Sequence, residues 1–356
     1  MIVVEGLKVR VPNFILDVER FDVMEGEYLV IMGPSGSGKT MLLETIAGLR
    51  EQDSGRIYIS GKEVSNLPPE KRGLSYVPQS VALWPHMTVF ENIAFGLRIR
   101  SIPKEEVKRR VMEVAKVMDI IDLLNRRPSQ LSGGEKQRIA LARALVVSPK
   151  AVLLDEPLSS LDVSTAEKLK SFIKGLKKKL GFTAIHVTHN PLEAAELADK
   201  IAVLYNGRLL TQGPTVRVMR DPRALEIFSQ SKPIILEGVV KGHSEGLVEV
   251  DISGHNVLAV GNECVQGMKA ILAIRPEDIA VFKERPEGGS ARNILKCRLV
   301  GHKEKGPLIE LLLDADGDIL RALVTRGSFE HLDVKARETV YAVFKASATK
   351  LLRCSE

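Results

Sequence analysis

The chain has 356 residues, more than a single hydrophobic core usually supports, so at least two domains are expected. Its composition, 44% hydrophobic and 27% charged, is that of a folded globular chain, and no apolar run reaches the ~18 residues of a membrane-spanning helix. The formal net charge of +6 is compatible with nucleic acid, anionic lipid or anionic ligands, and charge alone does not choose among them.

The first residues argue against export, because Glu5 and Lys8 stand where the apolar segment of a signal peptide would run. This pattern predicts a cytosolic protein. Further along, the apolar run Tyr28–Met32 predicts a buried strand, and the glycine-rich residues after it lead into a helix that begins near Lys39. A strand, a glycine-rich turn and a helix in this order open a parallel α/β unit.

The turn between this strand and this helix fits the phosphate-binding pattern G-x-x-x-x-G-K-[ST]. Its glycines let backbone N–H groups surround a phosphate, the helix N-terminus adds a positive end, Lys39 supplies a cation, and Thr40 can hold magnesium. The residues of this loop that we predict to bind nucleotide are Gly33, Pro34, Ser35, Gly36, Ser37, Gly38, Lys39 and Thr40.

The middle of the chain continues the α/β pattern. Apolar spacing predicts helices over residues 104–124, 134–147 and 194–198, and apolar runs predict strands over residues 151–154 and 183–187. The first strand ends at Asp155 and Glu156, and the second ends at Thr188 and His189. Because ligands of open α/β sheets sit beyond the carboxyl ends of the strands, these residues and the phosphate loop are expected to share one site.

The two adjacent carboxylates suit different tasks. Asp155, at a strand end, can orient the hydration shell of magnesium, so it is a predicted metal-side residue together with Thr40. Glu156 is placed to polarise water toward a γ-phosphate, which makes it the predicted general base.

A second glycine-rich turn, with the letters LSGGE from Leu131 to Glu135, opens the helix near residue 134. It offers free N–H groups to an anion but has no lysine that corresponds to Lys39 of the phosphate loop. One complete nucleotide cradle and one separate cap for a γ-phosphate predict two copies that face each other, each completing the other's site.

Five motifs, in order, closely resemble the ATP-binding cassette (ABC) family of transporter ATPases, over residues 1 to about 230. They are the phosphate loop, LSGGEKQR at 131–138, the carboxylate pair, SSLD at 159–162, and the histidine after a strand. The resemblance implies an ATPase that uses ATP and Mg²⁺ as a homodimer.

The same resemblance assigns further roles. It implies that Gln79 touches magnesium and senses the transmembrane partner, and that His189 is a switch for the γ-phosphate. The cap across the dimer would be formed by Ser132, Gly133 and Gly134. Asp162 would link the two active sites.

The adenine site departs from the family pattern. The family usually places an aromatic ring for adenine stacking upstream of the phosphate loop, and Val11 stands at the matching position. Phe14 is near enough to substitute and is the predicted stacking residue, although a strand residue in the core explains it equally well. The sequence therefore leaves GTP open as an alternative nucleotide.

Cassette ATPases also serve DNA repair and translation. Repair ATPases separate the phosphate loop from the signature by a long coiled coil, for which the interval from Thr40 to Leu131 has no room, and translation factors carry two cassettes where this chain has one. The resemblance therefore implies a transporter ATPase, held peripherally at the cytoplasmic face of the cell membrane by two permease subunits that dock around Gln79.

After about residue 230 the helical patterns give way to short β-rich runs, at residues 234–240, 247–252, 270–274, 297–300, 308–313, 319–325 and 340–345. The predicted fold is an α/β P-loop NTPase cassette, residues 1–231, followed by an all-β domain of OB-like small barrels, residues 232–356. Residues 285–289, with a proline and paired glycines, are predicted to link two barrels. Cys264, Cys297 and Cys354 contain no C-x-x-C pair and are predicted to be reduced thiols.

Within about residues 290–356, the segments SARN (290–293), VTRGS (324–328) and YAVFKAS (341–347) resemble the molbindin-like domain in order and spacing. Members of that family bind molybdate or tungstate, which implies the same ligand here. A tetrahedral dianion suits hydroxyl and backbone donors with one or two cations, and sulfate has the same shape and charge. The predicted oxyanion residues are Ser290, Arg292, Thr325, Ser328, Lys345 and Ser347.

The sequence thus predicts the ATP-hydrolysing subunit of an importer for molybdate or tungstate, with a C-terminal domain that binds the oxyanion and inhibits transport. An extracellular oxyanion-binding protein would deliver the cargo. Importers of sulfate, sugar or metal are alternatives within the family, and a soluble oxyanion sensor or store with a nucleotide clamp is the alternative of another class. A nucleic-acid ATPase is opposed by the 4% aromatic content, which leaves little for base stacking.

Overall fold

The computed structural model of the chain describes residues 1–227, 233–261 and 264–355. These residues form two compact units, Met1–Ile227 and the part of the chain from residue 233 onward. The predicted domain boundary between residues 231 and 232 lies outside the described residues. Across those described ranges, no helix combines the length and the apolarity that crossing a bilayer requires.

The first unit begins with a β-hairpin and then alternates helices and strands. Its strands are β1 (Ile2–Val11), β2 (Phe14–Val23), β3 (Tyr28–Met32), β4 (Ser54–Ile59), β5 (Lys62–Glu63), β6 (Leu74–Val77), β7 (Ala151–Asp155), β8 (Ala184–Thr188), β9 (Lys200–Tyr205) and β10 (Arg208–Pro214). Its helices are α1 (Lys39–Ala47), α2 (Pro69–Arg72), α3 (Val89–Ile99), α4 (Lys104–Val117), α5 (Gly133–Leu145), α6 (Val163–Leu180), α7 (Pro191–Leu197), α8 (Thr215–Arg220) and α9 (Pro222–Ile227).

In the described part of this unit the strands form one sheet, in the order β5-β4-β1-β2-β10-β9-β3-β8-β7-β6. Strands β9, β3, β8, β7 and β6 pair in parallel, and β3, β7 and β8 are buried along their whole length, as in a sheet that is covered on both faces. Met32 lies opposite Thr188, and Asp155 lies opposite Val187. The polar ends of the strands therefore meet at one edge of the sheet, as predicted.

One predicted helix is too long. The helix expected over residues 104–124 ends at Val117, and a separate 3-10 turn follows at Ile121–Leu123. Asp119, between them, has a left-handed φ of 53°, which a helix cannot contain. Because the apolar spacing continues across this break, it predicts one continuous helix where there are two elements.

The second unit is rich in strands. They are β11 (Ile234–Ser244), β12 (Leu247–Ile252), β13 (His255–Val260), β14 (Lys269–Ile274), β15 (Ala280–Phe282), β16 (Asn293–Lys305), β17 (Leu308–Ala315), β18 (Asp318–Thr325), β19 (Thr339–Phe344) and β20 (Lys350–Ser355), with one helix, α10 (Arg326–Leu332), among its described residues. Strands β11-β12-β13-β20-β14 form a closed barrel, and β15-β19-β16-β17-β18 form a five-stranded sheet. Buried residues of the barrel and the sheet belong to one hydrophobic cluster.

The predicted linker between two barrels is wrong. Strand β15, which precedes residues 285–289, pairs with β19, so these residues connect two strands of the same sheet. The last strand, β20, returns to pair with β14 in the first barrel. The β-rich runs could be read from the sequence, but this return over a long distance could not.

The prediction of three reduced thiols is also wrong. Cys264 and Cys354 form a disulfide with their Cα atoms 5.7 Å apart, although 90 residues separate them in the chain. The register explains the pair, because Cys354 on β20 lies opposite Ala270, close to Cys264. Local spacing contains no sign of such a bond. Cys297 is the free cysteine of the three; it is buried, and burial raises its pKa to about 11.

Candidate functional site

The phosphate loop connects the carboxyl end of β3 to the first residue of α1. Gly33, at its start, has φ 155°, and a Cβ there would lie 2.1 Å from the carbonyl oxygen of Leu204, so no larger residue fits. Ser37 is 2% exposed, and its hydroxyl has no hydrogen-bond partner among the described residues. A buried donor without a partner, beside a helix N-terminus, suits a bound phosphate.

Lys39 is held inside the loop. Its side chain is buried, and Nζ donates to the carbonyl oxygens of Gly33 and Pro34, each at 2.9 Å. Burial lowers the pKa of this ammonium, against the opposing attraction of Glu156 and Asp155. The cation is thus preorganised in the loop where phosphate charge would be neutralised.

Three oxygen-bearing side chains converge beside the loop. The Thr40 hydroxyl donates to Asp155 Oδ1 at 3.0 Å, and the Tyr76 hydroxyl donates to Asp155 Oδ2 at 3.1 Å. Burial raises the pKa of Asp155, and these two hydrogen bonds oppose the rise; burial and Asp155 together raise the pKa of Tyr76. A hydroxyl and a carboxylate this close are the kind of hard oxygen ligands that Mg²⁺ prefers, and the amide oxygen of Gln79 would add a third of the same kind.

Glu156 directly follows β7 and lies beside the end of β8. Its N–H donates to the carbonyl oxygen of Val187 at 3.0 Å, and its φ of 44° is strained for a residue with a side chain. Gln79 Nε2 donates to Glu156 Oε2 at 3.4 Å and to the Ser159 hydroxyl at 3.3 Å. His189 Nδ1 lies 3.4 Å from the same Oε2. The structure therefore brings together three of the predicted catalytic residues.

The carboxylate of Glu156 remains accessible to water, with 20% of its side chain exposed. An accessible carboxylate beside a phosphate loop can accept a proton from a water that attacks phosphorus. Gln79 and His189 both contact the same carboxylate oxygen, so they can orient the carboxylate and that water.

The second glycine-rich turn forms the N-terminus of α5. The Ser132 hydroxyl accepts from the Glu135 N–H at 3.3 Å, and Glu135 Oε2 accepts from the Ser132 N–H at 2.7 Å. A Cβ on Gly134 would lie 2.7 Å from the Thr165 methyl group, so glycine allows α5 to approach α6. Asp162 Oδ1 accepts from the Thr165 N–H at 3.1 Å and thereby caps α6.

Two grooves flank these turns, and they share no residue. A groove of about 730 Å³ beside the phosphate loop is lined by Gly36, Val11 and Phe14, among others. A groove of about 310 Å³ beside the second turn is lined in part by Ser132 and Gly134. The phosphate loop and the second turn thus line separate grooves within one chain, and the prediction that a nucleotide lies between two copies stays a prediction.

Phe14 is one of the residues that line the first groove. A Cβ on Gly38 would be 3.0 Å from its ring, and a Cβ on Gly207 would be 3.2 Å from it, so the ring packs closely on both glycines. The side chain thus serves the apolar core and also lines the groove. Its stacking on adenine stays a prediction.

The six predicted oxyanion residues are exposed and fall into two groups. Ser290 and Arg292 precede β16, whose first residue Asn293 lies opposite Phe344, so Lys345 and Ser347 lie near them. Thr325 and Ser328 lie near the other end of β16. The last residue of β16, Lys305, pairs with Leu308 on β17, and Leu308 in turn pairs with Thr325 on β18.

Contacts already engage some of these side chains. The hydroxyls of Thr325 and Ser328 are 2.8 Å apart, and Thr325 caps α10 by accepting from the Ser328 N–H at 3.2 Å. Arg292 Nη1 lies 3.6 Å from Glu245 Oε2. Within one chain the six residues do not form one anion cradle, since the two groups occupy opposite ends of a 13-residue strand.

Sequence reasoning missed Tyr76 and Ser159 as contacts of the site. Tyr76 is on β6, whose parallel pairing with β7 sets Val77 opposite Leu154. A recognised strand ending just before Gln79 would have placed this hydroxyl at the site. Ser159 was part of a recognised motif but had been given no role.

Two family models match the chain. The ABC transporter model matches residues 16–159, and the TOBE domain model matches residues 289–351. The first range contains the phosphate loop and Glu156, and the second contains the predicted oxyanion residues.

Curated relatives match nearly the whole chain. The molybdate/tungstate import ATP-binding protein WtpC of Pyrococcus horikoshii is 45% identical over 353 residues, which are 98% of this chain and 99% of that protein. The spermidine/putrescine import ATP-binding protein PotA of Haemophilus influenzae is 38% identical over 316 residues, 88% of this chain and 84% of that protein. Among solved structures, a dimeric post-hydrolysis ATP-binding cassette bound to ADP and Pi is similar with a TM-score of 0.53 at 30% identity, over 60% of this chain and 99% of that one.

Proposed function

This chain belongs to the ABC transporter family and is an ATPase, and we propose that it powers the import of an oxyanion of the molybdate or tungstate class. The observation that carries the proposal is the end-to-end similarity to the Pyrococcus horikoshii protein, which spans both units. In this proposal, residues 1–231 are the nucleotide-binding domain and residues 232–356 the regulatory domain. The chain lies peripherally at the cytoplasmic face of the membrane, on two permease subunits that receive cargo from an extracellular oxyanion-binding protein.

The chain's own residues divide the chemistry of ATP hydrolysis among them. Lys39 and the loop N–H groups bind the phosphates of ATP, whose base lies in the groove lined by Phe14. Thr40, Gln79 and Asp155 would hold Mg²⁺, which when bound neutralises phosphate charge. The Glu156 carboxylate accepts the proton of the attacking water.

His189 contributes through the carboxylate of Glu156. Its imidazole is 3.4 Å from the carboxylate and exposed toward solvent, so it can donate a hydrogen bond to a γ-phosphate oxygen while orienting Glu156. A contact that exists only while the γ-phosphate is present makes His189 a sensor of hydrolysis.

Two copies assemble around two nucleotides in this proposal. Ser132, Gly133 and Gly134 of one copy cap the γ-phosphate that the other copy's loop holds, and Asp162 connects the two sites. The support is the separation of the two grooves within one chain, together with the dimeric state of the similar solved cassette. Hydrolysis removes the bridging phosphate and reopens the dimer, which resets the permease.

The oxyanion is proposed to bind the C-terminal unit and to inhibit transport. Arg292 and Lys345 supply positive charge at one end of β16, and Thr325 and Ser328 supply hydroxyls at the other. Because one anion cannot touch both ends, a second copy must contribute the missing group. Oxyanion that has accumulated in the cell would then hold two copies in an arrangement that suppresses hydrolysis.

Calorimetric titration of the full-length protein with molybdate, tungstate, sulfate and spermidine tests the cargo. We expect saturable binding of molybdate and tungstate and none of spermidine, because the candidate ligands are cations and hydroxyls. Tighter binding of sulfate would make the chain a sulfate importer subunit, and binding of spermidine alone would assign it to the polyamine class. Equal ATPase rates of the assembled transporter with and without millimolar molybdate would remove the inhibitory role.

A further inference from the structure

A chain of buried polar groups runs beneath the proposed active site. The Tyr28 hydroxyl is 2.8 Å from His186 Nδ1, and His186 Nε2 is 2.8 Å from Glu193 Oε1. The Thr188 hydroxyl donates to Glu193 Oε2 at 3.1 Å. Tyr28 and His186 are fully buried, and Thr188 and Glu193 are 3% and 6% exposed, so these groups are isolated from bulk water. They come from β3, β8 and α7.

This buried chain ends at the backbone that carries His189. The Thr188 hydroxyl also accepts from the Asn190 N–H at 3.1 Å. Asn190 Oδ1 in turn caps α7 by accepting from the N–H groups of Leu192 at 3.0 Å and Glu193 at 3.3 Å. The two neighbours of His189 in the chain therefore both have hydrogen-bonded side chains. Thr188 is bonded to Glu193, and Asn190 is bonded to the first turn of α7.

Glu193 is charged although it is buried. Burial opposes its ionisation, but the imidazole of His186, the Thr188 hydroxyl and Lys170 outweigh that effect and hold the pKa of Glu193 below its ordinary value. Hydrogen bonds to an ionised acceptor are roughly twice as strong as neutral ones, so the Thr188 hydroxyl is strongly fixed. Apolar residues of similar volume often stabilise a core as well as buried charged groups do, so stability alone does not explain a buried carboxylate at this position.

We propose that Glu193 is a positioning residue, which acts through the Thr188 hydroxyl to hold the His189 imidazole beside Glu156. The proposal rests on the role proposed above for His189. Without the Thr188 bond, the segment from Thr188 to Asn190 is attached to α7 only through the Asn190 cap, and the Thr188 side of His189 is no longer fixed. The imidazole then spends less time within reach of the carboxylate and the γ-phosphate, while the phosphate loop that binds ATP is unchanged.

Replacement of the Thr188 hydroxyl tests this with little change of shape. We expect Thr188→Val to lower kcat by about 10- to 100-fold with KM for ATP changed by less than about twofold, because a misplaced catalytic group costs turnover rather than binding. Thr188→Ser retains the hydroxyl and should restore most of the rate. Glu193→Gln should resemble Thr188→Val. Glu196→Gln, which removes a carboxylate of the same helix that pairs instead with Lys170 at 2.8 Å, should retain the rate.

A double-mutant cycle separates positioning from a general loss of structure. In a His189→Ala background, measured by single turnover, Thr188→Val should add less than about a twofold loss, since the residue to be positioned is gone. Full turnover of Thr188→Val, or a loss that multiplies with that of His189→Ala, would overturn the inference. Unimpaired turnover of His189→Ala alone would instead refute the proposed role of His189. If Glu193→Gln fails to fold, the two Thr188 variants decide the question.

Discussion

The proposed nucleotide site and the proposed oxyanion site are built in opposite ways. In the first unit the candidate residues contact one another, as Thr40 does Asp155 and as Gln79 does Glu156. In the second unit the candidate residues are exposed and stand at both ends of β16, with Arg292 paired to Glu245. The proposed catalytic residues of one chain are thus already in contact with one another. In our proposal, the oxyanion ligands of the second unit come together only when two copies assemble.

The largest expected effect is on the first unit. Glu156→Gln keeps the shape of the side chain but cannot accept a proton, so turnover should fall by about 10³-fold while ATP still binds. Closed dimer should then accumulate with ATP and Mg²⁺, as measured by size exclusion with light scattering. Glu51→Gln, an exposed carboxylate in the same unit, is the control. A strictly monomeric Glu156→Gln protein, even with its permease present, would contradict the facing arrangement of the two turns.

The next effect concerns the stability of the second unit. Cys264→Ser removes a crosslink across 90 residues, which should lower the free energy of unfolding of that unit by about 2–5 kcal/mol. Scanning calorimetry should show its transition moving to lower temperature and the transition of the first unit unmoved. Reductant should have the same effect on the unmodified protein and none on Cys264→Ser. A transition insensitive to both changes would show that the bond contributes nothing.

A smaller effect is expected for the oxyanion site. Arg292→Ala removes a charged donor, which should weaken molybdate binding by about tenfold, as measured by calorimetry of the full-length protein. Lys296→Ala, which removes an exposed cation of β16 outside the candidate set, is the matched control. Binding that is equally strong in both variants would place the site elsewhere.

The smallest effect is a count of reactive thiols. The native, oxidised protein should react with no thiol reagent at neutral pH, because Cys297 is buried and its pKa is raised to about 11. Unfolding without reductant should expose one thiol, and unfolding with reductant all three. A count of three after unfolding without reductant would mean that the disulfide does not form in the protein as isolated.

The two halves also differ in how far the sequence predicted them. The phosphate loop, the buried strands and the turn at Ser132 could be predicted because each is a local pattern, fixed by neighbours within a few residues. Tyr76 was missed because β6 was not recognised as a strand beside β7, and the contact of Ser159 could not be predicted because it depends on the turn after Glu156. The roles assigned to Gln79, His189 and Asp162 came from the family resemblance and not from spacing.

In the second unit the β-rich runs were visible but their partners were not. The periodicity of a strand indicates which of its residues face the core, but it does not indicate which other strand pairs with that strand. The supposed linker at residues 285–289 is wrong because β15 pairs with β19, and the supposed free thiols are wrong because β20 returns to pair with β14. The same limit applies to Glu193, which sequence reasoning did not single out, because its contacts His186 and Thr188 lie on β8.

That return has a consequence for how the protein is made. Strand β20 closes the barrel that β11 to β14 begin, so the barrel encoded first can be completed only after residues 350–355 have left the ribosome. Until then β14 exposes an unpaired edge, which other chains can join. A stop codon after Thr349 would therefore damage the earlier barrel, far upstream of the lesion, and leave every strand of the later sheet encoded.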